Sequence, residues 1–283
     1  MSDATFTLSA FGDEISPDLD VQLSTLSALG VRYLDLRGAW GKNVLRMGDD
    51  DLARVVAVCN IHSTQVACLG SPIGKSPIMD PIANELANLE RIMHVGEVVG
   101  CRRVRLFSFY PPDISTNVAY DQYVPEATER LAALARLAER EGYLLLLENE
   151  KDIVTDTLSR CEAVIKGVNS PVLRFIWDSA NFVQVGEAQV VDRGWPMLGE
   201  AIGYVHIKDA MLSDGHVVAA GHGDGQLREL LTHLKDAAYQ GFLSLEPHLQ
   251  VAGHSGGFTG PEMMGYAVGE LRKLMAEVGC VEI

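Results

Sequence analysis

Eight short apolar runs recur along the chain, each followed by a polar or glycine-rich turn and then by a stretch with helical spacing. The runs are FTLSAFG (6–12), YLDLRG (33–38), TQVACLG (64–70), RVRLFSF (103–109), YLLLLEN (143–149), LRFIWDS (173–179), GYVHIKD (203–209) and FLSLEPH (242–248). They are rich in β-branched and aromatic residues and suit strands of a parallel sheet, which is buried on both faces. Between them, DLDVQLSTLSALG sets Leu19, Leu23, Leu26 and Leu29 near one helical face and ends at Gly30, a residue suited to a helix C-cap. ANELANLERIMHVGEVVG gathers Leu86, Leu89, Ile92, Met93 and Val98 on an apolar side, and EATERLAALARLAEREG consists of strong helix formers up to Gly142. RELLTHLKDAAYQG and GPEMMGYAVGELRKLMAEVG continue the series. DTLSRCEAVIKG is shorter, and DRGWPMLGEAIG is the weakest helix because Pro196 interrupts it.

Alternating strand and helix implies a parallel sheet with helices outside it. Eight units in 283 residues fit an α/β fold, a single (β/α)8 TIM barrel occupying residues 1–283 as one domain. No linker or shift of composition divides them. The competing architecture is an open doubly wound sheet, but AFGDEIS after the first run lacks a GxGxxG fingerprint.

Barrel enzymes carry their chemistry at the C-terminal ends of the strands. The last four runs each end in a metal-capable side chain: Glu148, Asp178, His206 and Glu246. Neighbouring strands lie about 4.8 Å apart, so four such groups can converge on one ion. Three carboxylates and an imidazole favour Mn²⁺, Mg²⁺, Co²⁺ or Zn²⁺ over a thiolate-bound metal. Taken singly, each has a plainer reading, as a helix cap, a solvated loop group or a satisfied core histidine. Glu148 follows four leucines directly and belongs near the mouth, whereas Glu150 falls in the following loop and is expected to matter less.

These strand ends resemble the xylose isomerase-like barrel superfamily. The matching pieces are LLLENE (145–150), WDSANF (177–182), YVHIKDA (204–210) and LSLEPH (243–248), with GSPIGK (70–75), GHGDG (221–225) and GGFTGPE (256–262) resembling its loops. The superfamily includes sugar phosphate isomerases/epimerases, ketohexose 3-epimerases, hydroxypyruvate isomerase, inosose dehydratase and endonuclease four. The resemblance implies that Glu148, Asp178, His206 and Glu246 bind one divalent metal, and that Glu148 and Glu246 also move protons through a metal-bound enediolate. It implies a metal-dependent sugar, sugar-phosphate or polyol isomerase or epimerase, with an inosose-dehydratase-like lyase as the alternative. Dimers and tetramers are common in the family, which leaves a homo-oligomer open.

The chain departs from the ketohexose epimerases at Asn181, where they carry a histidine. Asn181, Lys208, Arg105, Lys75 and His248 are candidate substrate contacts. For Lys208 the plain reading is a solvated lysine. For Arg37 and Arg105 it is an ion pair with Asp35, Asp13 or Glu14. Lys75 lies in GSPIGK, which is either a lid or a simple turn and lacks P-loop spacing. AGHSGGFTG (252–260) follows the last strand, where barrel phosphate sites often form. His222 reads as a surface residue, and Trp177 as packing outside the barrel.

Endonuclease-four chemistry needs further histidines, but the third and fourth strands offer Cys68, Phe107 and Phe109. A formal charge of −15, from 38 acidic and 23 basic residues, also disfavours nucleic acid. A non-catalytic sugar-binding barrel is the remaining reading. The N-terminus lacks signal-peptide character, no apolar run approaches a membrane span, and the five cysteines show no CxxC. The expectation is a cytoplasmic protein with free thiols.

Overall fold

The structure, a computed structural model, describes residues 4–112, 117–249 and 259–283. The motif AGHSGGFTG falls almost wholly outside the described residues. The eight runs form β1 (Thr5–Phe11), β2 (Tyr33–Leu36), β3 (Gln65–Leu69), β4 (Arg103–Leu106), β5 (Leu144–Glu148), β6 (Leu173–Asp178), β7 (Ile202–Ile207) and β8 (Gln240–Leu245). They close into one barrel, each strand paired with its sequence neighbours and β8 returning to β1. The six residue pairs from Thr5↔Gln240 to Ala10↔Leu245 make that closure parallel. This is the (β/α)8 architecture.

Helices α1 (Leu19–Ala28), α2 (Asp49–His62), α3 (Ile82–Val99), α4 (Val124–Glu141), α5 (Leu158–Val168), the short α6 (Ser179–Gln184), α7 (Val190–Leu198), α8 (Leu227–Asp236) and α9 (Gly260–Val278) surround it. The segment forming α2 is absent from the helical segments named above. Its buried residues, Leu52, Val55 and Cys59, have helical spacing but are few. Three aspartates in its first turn suit the positive end of the helix dipole. Pro196 lies within α7, yet the helix persists because Val190, Val191, Gly194 and Leu198 bury one face.

Strand β5 shows why a leucine run was required. Leu145 and Leu147 pack outward among the helices, in the main apolar core. Leu146 points the other way and joins Cys68, Ile176 and Tyr204 inside the barrel. Both faces are dry, so both must be apolar. Glu148, two residues beyond Leu146, continues the inward face one layer higher.

Asp35 sits in that interior, fully buried. Ser9 Oγ donates to it at 3.0 Å, Tyr204 Oη at 2.6 Å, and Ser244 Oγ also bonds it. Three hydroxyl donors therefore satisfy this carboxylate, one of the three that the plain reading offered to Arg37 or Arg105. Trp177 is buried outside the barrel against Phe175 and Phe182, as its outward register requires. The five cysteines are free. Among the described residues, no helix is long and apolar enough to cross a membrane.

Candidate metal centre at the barrel mouth

Glu148, Asp178, His206 and Glu246 meet above the Leu146–Tyr204 layer. All four are buried, and one ligand atom from each lies within 4.8 Å of the others. Asp178 and His206 are register partners across β6 and β7. His206 Nδ1 lies 2.8 Å from Glu148 Oε1 and 3.6 Å from Glu246 Oε2. Asp178 Oδ1 accepts the backbone N–H of Asn181 at 2.9 Å, capping α6. Its other oxygen, Oδ2, is buried without a hydrogen-bond partner.

That orphaned oxygen is a direct test of fit. A buried carboxylate oxygen normally finds a donor, and this one faces a cluster of metal-capable atoms. Hard oxygen donors with one imidazole suit a divalent cation of the Mg²⁺, Mn²⁺ or Zn²⁺ kind. The four side chains fit such an ion.

Cations of the chain surround the centre. Arg105 Nη1 donates to Glu148 Oε2 at 3.2 Å and lies 3.9 Å from Glu246, while Nη2 reaches the carbonyl of Gly70 at 3.3 Å. Its guanidinium lies 4.9 Å from the ring centres of both Phe11 and Phe107. Arg105 thus pairs with the metal-side glutamates, not with Asp35, Asp13 or Glu14. Burial opposes the charge of Glu148, but His206 and Arg105 outweigh it and hold the carboxyl below its ordinary value. Burial likewise opposes the charge of Glu246, and His248, Arg37 and Lys208 hold it well below. Burial raises Asp178 to about 6, against the opposing pull of Lys208.

The last value gives a pH test of the centre. Without metal, Asp178 keeps its proton more readily folded than unfolded. Its stabilising contribution is therefore full below its ordinary value of 3.8 and lost as pH rises through about 6. The native state then holds a buried charge that Lys208, 3.6 Å away, offsets only in part, and a bound cation would relieve it further. Mn²⁺ should raise the melting temperature clearly at neutral pH and little at pH of about 5, relative to EDTA controls. An equal rise at both would contradict this account.

Lys208 is buried, with its Nζ 2.7 Å from Asn181 Oδ1 and 3.6 Å from Asp178 Oδ2. It is not the solvated lysine of its plain reading. Asn181 is engaged at both ends of its amide, since Nδ2 also donates to the Asn149 carbonyl at 2.8 Å. The structure thus gives it protein partners, with its oxygen directed at Lys208. Asn149 itself links β5 and β6, donating to the Asp178 carbonyl at 2.9 Å and accepting its N–H at 3.0 Å. The sequence reading passed over Asn149, although it stands between two glutamates.

Lys75 Nζ lies 3.0 Å from Glu150 Oε2 and 4.4 Å from the centre of the Phe107 ring. Its loop is fixed by hydrogen bonds from Phe107 N to Ile73 O and from Phe109 N to Gly74 O, both 2.8 Å. Gly74 has φ +82°, and a Cβ there would stand 2.0 Å from the Phe107 carbonyl oxygen. The segment is a secured turn that sets Lys75 against Glu150. Glu150 is a loop residue as expected, but it faces a cation from the β3 loop.

Two residues outside the expected set complete the mouth. Glu14 is fully buried, and Arg37 joins it to Glu246. His248 Nε2 lies 3.2 Å from Glu14 and 3.4 Å from Glu246. Burial and Lys208 oppose the charge of His248, yet these carboxylates lift it to about 9. His222 forms a surface pair with Glu270 at 2.6 Å.

Solved structures of the same shape include D-psicose 3-epimerase with D-tagatose from Clostridium cellulolyticum H10. It is 15% identical, with 97% of this chain and 100% of that one covered, at a TM-score of 0.77. The IOLI protein with a zinc atom is 18% identical, covering 96% and 98%, at 0.74. The probable 3-DHS dehydratase AsbF from Bacillus anthracis is 15% identical, covering 95% and 98%, at 0.71. Identities this low establish shared fold alone. No curated protein matches the sequence. The sequence model of the xylose isomerase-like TIM barrel matches residues 23–269, and with the closed barrel this shows that the chain belongs to that family.

Proposed function

We propose that the chain is a divalent-metal-dependent isomerase or epimerase acting on a sugar, a sugar phosphate or a related polyol-derived carbonyl compound. The observation that carries this reading is the buried convergence of Glu148, Asp178, His206 and Glu246, with Asp178 Oδ2 unpartnered. These four residues would hold the metal. A divalent cation bound there would polarise a carbonyl and acidify the adjacent C–H.

The chain's own groups provide the rest. Glu148, kept anionic by Arg105 and His206, takes the proton from the carbon beside the carbonyl. Glu246, presented just beyond β8 and itself held anionic, relays a proton from water back to carbon. Return to the other face of the same carbon gives an epimer, and delivery to the next carbon gives an aldose–ketose isomer. Lys208, buried beside Asp178, offers a fixed positive charge to a substrate oxygen. Arg105 serves the same end nearer Glu148, and Lys75 and His248 line the rim. The burial and acidity of the four-residue group suit a small molecule, and no nucleic acid partner is proposed.

The shared shape with a probable dehydratase supports a second reading. There Glu148 would again remove the proton, followed by loss of hydroxide from the neighbouring carbon. One experiment separates the two. Metal-stripped protein reloaded with Mn²⁺, Mg²⁺, Co²⁺ or Zn²⁺ is incubated in D₂O with ketoses, ketose phosphates and inososes, and products are read by NMR. Deuterium incorporation without loss of water is expected. Loss of water instead supports the dehydratase. Failure to bind any of the four ions would sink both.

A further inference from the structure

A second group of metal-capable atoms lies beside the first. Glu14, Glu246 and His248 each place a ligand atom within 4.8 Å of the others. They share Glu246 with the main centre, which is how adjacent ions in multi-metal sites are bridged. Yet a cation of the chain already stands there. Arg37 Nε donates to Asp13 Oδ2 at 2.8 Å, Nη2 to Glu14 Oε1 at 2.8 Å and Nη1 to Glu246 Oε1 at 2.5 Å. Each guanidinium nitrogen takes a different carboxylate, and the group lies 4.7 Å from the centre of the Phe11 ring.

The two oxygens of Glu246 are thereby divided. Oε1 faces Arg37 and His248, while Oε2 faces His206 at 3.6 Å. Glu14 is fixed on its far side as well, since its Oε2 accepts from Thr259 Oγ1 at 2.7 Å. Arginine remains charged at any working pH and cannot be chelated away, so it holds this arrangement whether or not metal is present. It brings one positive charge where an ion would bring two.

We propose that Arg37 stands in for a second divalent cation, holding Glu246 as a ligand of the main centre and keeping that centre mononuclear. This rests on the proposed metal centre. It makes Arg37 a positioning residue, and it supplies a physical reason why this barrel would follow one-metal proton-transfer chemistry and not a multi-metal hydrolytic course.

The test is metal stoichiometry, measured with Mn²⁺ alone by equilibrium dialysis and electron paramagnetic resonance. Wild-type protein should bind one ion. Arg37→Met, which keeps length but removes charge, should bind a second, weaker ion and show a spin-coupled signal. Arg37→Lys should remain at one. If Arg37→Met folds and still binds one ion, the proposal fails. Should that variant not fold, wild-type crystals soaked in excess Mn²⁺ decide the matter. A single anomalous peak supports the proposal, and a second between Glu14 and Glu246 overturns it. Wild-type protein that binds no Mn²⁺ would instead remove the proposed metal centre itself.

Discussion

Glu148→Gln is expected to lower turnover by about 10²–10⁴-fold, the usual contribution of a positioned acid–base group. The substrate is the one identified by deuterium exchange. Glutamine keeps the volume of Glu148 and one acceptor oxygen for Arg105 or His206. It removes the charge and the ability to take a proton. The barrel should still fold, because Leu145, Leu146 and Leu147 remain fully buried on both sides of β5. Mn²⁺ affinity should fall as well, since one anionic ligand is lost. Glu150→Gln provides the comparison. Glu150 is outside the four-residue cluster and meets Lys75 at the rim, so its turnover loss should be less than about tenfold, the scale of an exposed pair. Equal losses in the two variants would mean that Glu148 does not carry the chemistry.

The difference between these glutamates was legible in the sequence, because it follows from strand period. Residues 146 and 148 share a face, and the leucines before Glu148 need apolar surroundings on both sides. The same logic located Asp178, His206 and Glu246 at neighbouring strand ends. The plain reading paired Arg37 with Asp13 or Glu14, and it meets both, but nothing in the sequence tied the same arginine to Glu246. Arg37 and Glu14 are 23 residues apart, but Arg37 and Glu246 are 209 apart, and they meet only because β8 closes against β1. Asn149 was obscured for another reason. Its side chain replaces backbone pairing between β5 and β6, a role with no periodic signature. The plain alternative for Arg105, an ion pair with Asp35, does not form, because Asp35 is satisfied by hydroxyls from β1, β7 and β8, which no local pattern reveals.

The motif GHGDG illustrates the opposite case, a visible pattern whose purpose needed the structure. Asp209 is fully buried. Its Oδ1 accepts the N–H groups of Ala210 and Gly225 at 2.9 Å, and its Oδ2 those of Gly221 and Gly223 at 3.0 Å. Glycine is needed because the backbone wraps closely around the carboxylate. A Cβ on Gly223 would stand 2.5 Å from Asp209 Oδ1, and one on Gly225 would stand 2.7 Å from it. Asp209→Ala leaves four backbone donors without their acceptor, so a loss on the order of 3–5 kcal/mol of folding stability is expected. Urea denaturation in EDTA would measure it free of any metal contribution. Asp209→Asn should cost less, because its amide keeps one acceptor oxygen but turns an NH₂ toward two of the donors. The damage should also reach the metal centre. Asp209 directly follows Lys208 and lies three residues beyond His206, so releasing the loop loosens the end of β7 that presents both. Mn²⁺ affinity should therefore fall in Asp209→Ala although no ligand is changed. If stability stays within about 1 kcal/mol of wild type, water has replaced the carboxylate and the loop is not anchored by it.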